Sequence, residues 1–280
     1  MWLWKVTKPM VDKDRTVKLV DEDLQSMKSF SQASLSSGQL ASCICNTEVI
    51  GKTMLVGFPG HGLVGSIAAK YIIKSLELEV VGYVRSVLIP PMAVFLDGVL
   101  AYPYRIYGDP KKRKSTVVLI GESPAPPSAY YFLANAVLDW AVTHIGAEEI
   151  ICLDGFPDSR NEPEVYVVAE PDIKERFTEY KKPQTGYIGG LSGAILNETI
   201  IREIDGYALL VSTTSQFPDP IGAAELIKVL NDIKGWKIDV KPLIEDGEKI
   251  KKTMQEFADK TRQLSDGSSS DSGVRESLYL

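Results

Sequence analysis

From residue 52 onward, two hydrophobic rhythms alternate along the chain. KTMLVGF (52–58), STVVLIGE (115–122), EEIICLDGF (148–156) and YALLVSTT (207–214) are short apolar runs, the pattern of strands covered on both faces. Between them the apolar spacing changes to that of helices. Val64, Ile67, Ala68, Tyr71, Ile72 and Leu76 share one face of a helix predicted over 63–76. A second helix follows Pro126-Pro127, with Ala134, Val137, Leu138, Ala141, Val142 and Ile145 at that spacing. A third begins at Asp219-Pro220, an N-cap residue followed by a proline suited to the first helical position; Ala223, Leu226, Ile227, Leu230 and Ile233 face inward. EVVGYVRSVLI (79–89) predicts another strand. AVFLDGVLAYPYRIY (93–107), with Asp97-Gly98 between apolar runs, predicts a β-hairpin and so a mixed sheet. Strands alternating with helices predict a three-layer α/β/α domain with a mostly parallel, mixed sheet.

The turn GFPGHGLVG (57–65) joins the first strand to the first helix and contains Gly60-x-Gly62-x-x-Gly65. That spacing belongs to dinucleotide-binding turns, where glycines let the backbone approach a pyrophosphate at a helix N-terminus. The acidic residue that should close the next strand is missing: the strand ends in Pro90-Pro91, with Arg85 inside it. No Lys-Ser/Thr pair follows either, so the turn is not a P-loop. Gly57, Pro59, Gly60, Gly62 and Gly65 are therefore expected to be structural. A second glycine-rich turn, GYIGGLSG (186–193), opens a further helix. Ser192 within it is a conceivable nucleophile, but no GxSxG elbow surrounds it. His61, at a helix N-terminus, is expected to be a neutral imidazole that packs or hydrogen-bonds. Asp154 and Glu122 lie near strand ends, where α/β sites gather, yet no spacing ties them to a histidine or to each other. Phe-Pro recurs at 58–59, 156–157 and 217–218, a pattern expected to end strands and plug the sheet edge.

Charge and cysteine content narrow the class. The net charge of −6 argues against a nucleic-acid partner, and Lys111–Lys114 reads as a solvated basic loop. Cys43, Cys45 and Cys152 make no disulfide framework, and with only His61 and His144 no metal site is expected. No cofactor is expected. The start of the chain shows no signal-peptide pattern, and no apolar run reaches the ~20 residues of a membrane span. The expectation is a soluble, cytoplasmic protein with no membrane partner.

GFPGHGLVGSIAAKYII (57–73), the prolines at 90–91, the hairpin around Asp97-Gly98 and GGLSGAIL (189–196) together resemble the proteasome assembly chaperone family. The resemblance spans roughly residues 47–235. It implies a nucleoside-phosphorylase-like α/β core without recognisable phosphorylase catalytic residues, and hence a non-catalytic protein. Around this core, residues 1–45 form a polar extension, Ser-rich toward its end, in which TVKLV (16–20) could be a short strand. The core is expected over 46–245. An amphipathic helix over 246–264 carries Ile250, Met254, Phe257 and Leu264 on a narrow stripe, suited to packing on the parent domain or to contact with a second copy. Residues 265–280 form a flexible tail. Its Ser/Gly/Asp-rich part, 265–277, has a mean reach of roughly 20 Å. The tail ends in Leu278-Tyr279-Leu280, which resembles the hydrophobic-Tyr-any ending of proteasome-activator tails. The resemblance implies docking on proteasome core-particle α-subunits, through an aromatic anchor and a captured carboxylate, and self-association of the core. The competing expectation is a nucleotide- or nucleoside-binding protein or enzyme with a pocket at the glycine-rich loops.

Overall fold

The computed structural model describes residues 40–45, 47–96, 98–158, 162–213, 217–249 and 252. TVKLV (16–20), most of the helix expected over 246–264 and the tail 265–280 lie outside the described residues.

Eight strands form one sheet in the order β1-β3-β6-β7-β2-β8-β10-β9. They are β1 (Ala41–Cys45), β2 (Thr53–Gly57), β3 (Glu79–Ser86), β6 (Tyr104–Gly108), β7 (Thr116–Gly121), β8 (Glu149–Pro157), β9 (Val165–Ala169) and β10 (Asp205–Thr213). β4 (Val94–Leu96) and β5 (Val99–Ala101) form a separate two-stranded ribbon. The helices are α1 (Val64–Ser75), α2 (Tyr130–Trp140), α3 (Pro171–Lys174), α4 (Gly190–Arg202) and α5 (Pro220–Lys234). Parallel pairing is confined to the centre, β7-β2-β8-β10; β1, β3 and β6 on one flank and β9 on the other pair antiparallel.

The apolar runs become the central strands because two helical layers cover them. Met54, Val56, Val117, Leu119, Ile150, Cys152 and Ala208 face a core shared with α2 and α4. Their neighbours Leu55, Val118, Ile120, Ile151, Leu153, Tyr207 and Leu209 face the opposite core, shared with α1 and α5. Alternate side chains leave a strand on opposite faces, so continuous hydrophobicity is what a sheet buried on both sides needs. α5 starts as its sequence predicts: the Asp219 carboxylate accepts from the Gly222 amide at 2.9 Å, and Pro220 occupies the first turn.

The structure differs from the sequence-based expectations in four places. Residues 41–45, assigned to the polar extension, are an edge strand paired with β3. β9 was not expected; it pairs antiparallel with β10 and closes the far edge. The apolar run after Gly98 divides: Val99–Ala101 stays in the ribbon, and only Tyr104–Gly108 enters the main sheet. The sheet is therefore mixed because of β1, β6 and β9, not because of the hairpin. Finally, helix begins at 241, ahead of 246, and Leu243 and Ile244 pack against the α1/α5 core.

Candidate functional site

The carboxyl ends of β2, β7 and β8 lie side by side, and the chain leaves them in different directions. β2 leads through α1 to β3 on one flank; β7 leads through α2 to β8 on the other side of β2. Such a divergence opens a crevice where α/β proteins hold ligands. Here the crevice is lined by Phe58 and Pro59 of the first glycine-rich turn, Ser123 and Pro124 after β7, Asp154 of β8, and Gly189–Ser192 at the start of α4. Its volume is about 70 Å³. Ligand pockets ordinarily run to ~300–1,000 Å³, whereas a water occupies ~30 Å³ of liquid. The two glycine-rich turns do meet, but around a space well below the size of an ordinary ligand pocket.

Packing explains the glycines. A Cβ on Gly57 would lie 2.5 Å from the Gly65 carbonyl oxygen and 2.6 Å from the Ala69 Cβ. A Cβ on Gly65 would collide with the Leu153 carbonyl oxygen, and one on Gly60 with the Asp154 carboxylate. Gly62 adopts φ +60°, a left-handed conformation that glycine takes without strain. Two amides of the turn are engaged within it: Leu63 N–H donates to Gly60 O at 3.1 Å, and Val64 N–H to His61 O. Gly62 O in turn accepts from the Asp219 amide at 2.8 Å, tying the turn to the start of α5. Pro59 lines the crevice wall.

Asp154 is the carboxylate in the crevice lining. Burial raises its carboxyl above the usual range, opposed by hydrogen bonds from the Gly155 amide and the Ser192 hydroxyl and by the nearby His61. Thus Asp154 and Ser192, unlinked in sequence, are partners in space. Ser192 is buried and engaged with that carboxylate, an arrangement that holds α4 to β8 rather than one that frees a nucleophile. His61 is exposed, so packing, one of the two roles expected for it, is not the one it takes. Glu122 belongs to a different cluster: it accepts from buried Arg105 at 2.5 Å and from Lys70 at 2.6 Å, linking β6, β7 and α1. Tyr104 donates to Ser123 O at 2.7 Å, and its burial pushes the phenol up to about 12. The Phe-Pro pairs do not converge. Phe58 packs on Tyr104, Phe156 packs edge-on to Tyr166, and Phe217 is exposed. Two larger clefts lie away from the glycine-rich turns. One, of about 340 Å³, is rimmed by Glu48 and Lys112. The other, of about 400 Å³, is rimmed by Arg176, Glu179 and Asp232.

The most unusual surface is the β4–β5 ribbon. Phe95 is 74% exposed, Val99 68% and Leu100 79%; Leu96 is also exposed. Phe95 pairs with Leu100 and Leu96 with Val99. The two pairs therefore occupy opposite faces, both apolar.

The PAC2 family's sequence profile matches residues 54–258. The chain belongs to the PAC2 family. An uncharacterized protein of Methanocaldococcus jannaschii is 28% identical over 207 residues, covering 74% of this chain and 85% of that protein. Among solved structures, Pyrococcus furiosus PbaA, described as an archaeal homologue of proteasome-assembly chaperone, superposes with TM-score 0.70 at 28% identity. It covers 80% of this chain and 95% of PbaA. P. furiosus PbaB, described as an archaeal proteasome activator, superposes with TM-score 0.69 at 19% identity over 79% of this chain and 99% of PbaB; at that identity the likeness concerns the fold. In this PAC2 chain Gly57 ends β2, Pro59, Gly60 and Gly62 lie in the turn that follows, and Gly65 is in the first turn of α1. Leu278, Tyr279 and Leu280 lie outside the described residues. Among the described residues no helix is long and apolar enough to cross a membrane.

Proposed function

We propose that this PAC2 protein is a non-catalytic proteasome assembly chaperone or proteasome-binding adaptor. The observation that carries the reading is the family match over 54–258, with PbaA alike along 95% of its length. In this reading the α/β core is a rigid platform. It self-associates and presents the Leu278-Tyr279-Leu280 segments of several copies to proteasome α-subunits. Tyr279 supplies an aromatic anchor and the terminal carboxylate a charge for capture by a basic group. Several weak tails on one platform bind by avidity, because the first contact raises the effective concentration of the next. Tight binding by a single tail is then unnecessary, and release stays fast. The small volume of the crevice supports a role for the glycine-rich turns in packing, not in holding a nucleotide.

The test is recovery of proteasome α-subunits on the full chain and on a chain lacking Tyr279–Leu280. The expected result is loss of recovery on truncation. Equal recovery overturns the tail mechanism.

A further inference from the structure

The cleft of about 340 Å³ lies at the amino ends of β2, β7 and β8, the opposite end of these strands from the glycine-rich turns. Its walls come from residues 47–50 between β1 and β2, from Lys112 in the turn before β7, and from the end of α2. Two of these segments hold uncommon backbone conformations. α2 runs on into a single π turn, Ala141–Ile145, a feature frequent at functional sites. Lys112 has φ +55°, a strained conformation for a residue with a Cβ. Buried Asp109 fixes the turn around it: the carboxylate accepts from the Lys111 and Arg113 amides at 2.9 and 3.1 Å. The rim is thus built into the fold.

The lining says what the cleft would hold. Trp140 belongs to it, and the Trp140 indole N–H has no hydrogen-bond partner among the described residues. Buried donors are almost always paired, and an unpaired one carries a standing cost. An indole only donates, so only an acceptor relieves it. Nearby polar groups are engaged elsewhere. The Thr143 hydroxyl donates to Asp139 O at 2.6 Å, and Lys112 pairs with Glu48 at 3.3 Å. With those two charges compensated, the cleft favours an uncharged occupant. Val49, Ile50 and Ile145 give it an apolar wall. Its volume stands at the lower end of the ~300–1,000 Å³ of ligand pockets, which suits a ring-sized molecule. The other spaces lack this combination. Ser123 Oγ is also unpartnered among the described residues, but the crevice it lines is only about 70 Å³. Among the described residues, no orphaned buried group lines the cleft of about 400 Å³.

We propose that this cleft binds a small, uncharged, largely apolar molecule whose carbonyl oxygen accepts from the Trp140 indole N–H. A nucleoside does not meet that description, since its ribose hydroxyls would face Val49, Ile50 and Ile145. The proposal depends neither on proteasome binding nor on the tail.

The probe is acetophenone, a ring bearing one carbonyl. The comparison is α-methylstyrene, which carries a CH2 group in place of the oxygen. Both are titrated into the full chain labelled with nitrogen-15 in its four tryptophans. Acetophenone should move one indole N–H resonance saturably. It should also slow the reaction of Cys45, which lines the cleft and is partly exposed, with a thiol reagent. Trp140→Phe removes the donor. It should delete the resonance that moves and reduce the preference for acetophenone over α-methylstyrene by at least about fivefold. Ile50→Trp blocks the cleft from an exposed position and should abolish both the shift and the protection of Cys45. That variant keeps the test decisive should Trp140→Phe fail to fold. Absence of a saturable shift in the wild-type chain overturns the proposal. So does a probe preference that Trp140→Phe leaves unchanged, and so does wild-type affinity in Ile50→Trp.

Discussion

Gly57→Ala separates a turn shaped by packing from one shaped by a ligand. The added methyl would stand 2.5 Å from the Gly65 carbonyl oxygen and 2.6 Å from the Ala69 Cβ. Both obstacles belong to α1, whose backbone cannot rotate aside as a side chain tip can. Restoring ordinary contact, ~3.4 Å or more, requires α1 to retreat by roughly 1 Å from a close-packed sheet. Overpacking of this kind costs about 1–3 kcal/mol, and a backbone obstacle places it toward the upper end. Replacing a strand glycine returns about 0.5–1 kcal/mol. The net expectation is a loss of about 2 kcal/mol, or about 4–8 °C in Tm for a domain of this size. Thermal unfolding without any ligand is the assay. Gly186→Ala, where an added Cβ meets nothing within 4 Å, is the control in the second glycine-rich turn and should shift stability by less than ~0.5 kcal/mol. A Gly57→Ala protein that melts at or above the wild-type temperature would refute the packing account.

Other outcomes follow from the same geometry. Burial holds the Asp154 carboxyl above its usual range, so native stability falls as pH rises through its folded-state pKa; Asp154→Asn should melt higher than wild type at pH 7–8, with the gap closing as pH falls through the carboxylate range. Arg105→Met should cost about 3–5 kcal/mol by urea unfolding, because it removes the buried partner of Glu122, and a second change, Glu122→Gln, should recover part of it. Burial pushes the Cys43 and Cys152 thiols up, so a thiol reagent at neutral pH should label Cys45, which is partly exposed, well before the other two; equal rates would contradict the burial. A panel of nucleotides and nucleosides should leave Tm unchanged, and a saturable rise would return the glycine-rich turns to ligand binding.

The central architecture was readable because burial on both faces leaves a signature that needs no partner: TMLVG, TVVLIG and YALLVS contain no charged residue. Asp219 and Pro220 were equally plain, since capping acts within four residues. The edges were not. Four of the five residues of ASCIC are small, and its strand pairing is with β3, some forty positions away. VYVVA has the β-branched residues of a strand, but its place beside β10 depends on a contact of equal range. The split between Ala101 and Tyr104 was hidden because ribbon and sheet strand are both apolar, and only the tertiary path decides which segment is covered. In the crevice, the reading of the glycines as structural rested on a missing acid; the obstacles that explain Gly65 and Gly60, Leu153 O and Asp154, lie about ninety residues further on. The Asp154–Ser192 contact joins a strand to a helix 38 positions later and left no trace in local spacing.

The close seating of α1 on β2 and β8 has a mechanical consequence. At its first turn the helix meets both strands backbone to backbone, Gly65 against Gly57 and Gly65 against the Leu153 carbonyl, and such a contact leaves no compliant side-chain layer at that point. The turn, the helix and the strand ends then move as one solid piece. In the oligomer proposed above, a tail captured on one copy would then have no route to its neighbours through sliding of α1. Successive captures on an oligomer should therefore be statistically independent, with steepness in the binding curve coming from the number of tethers alone.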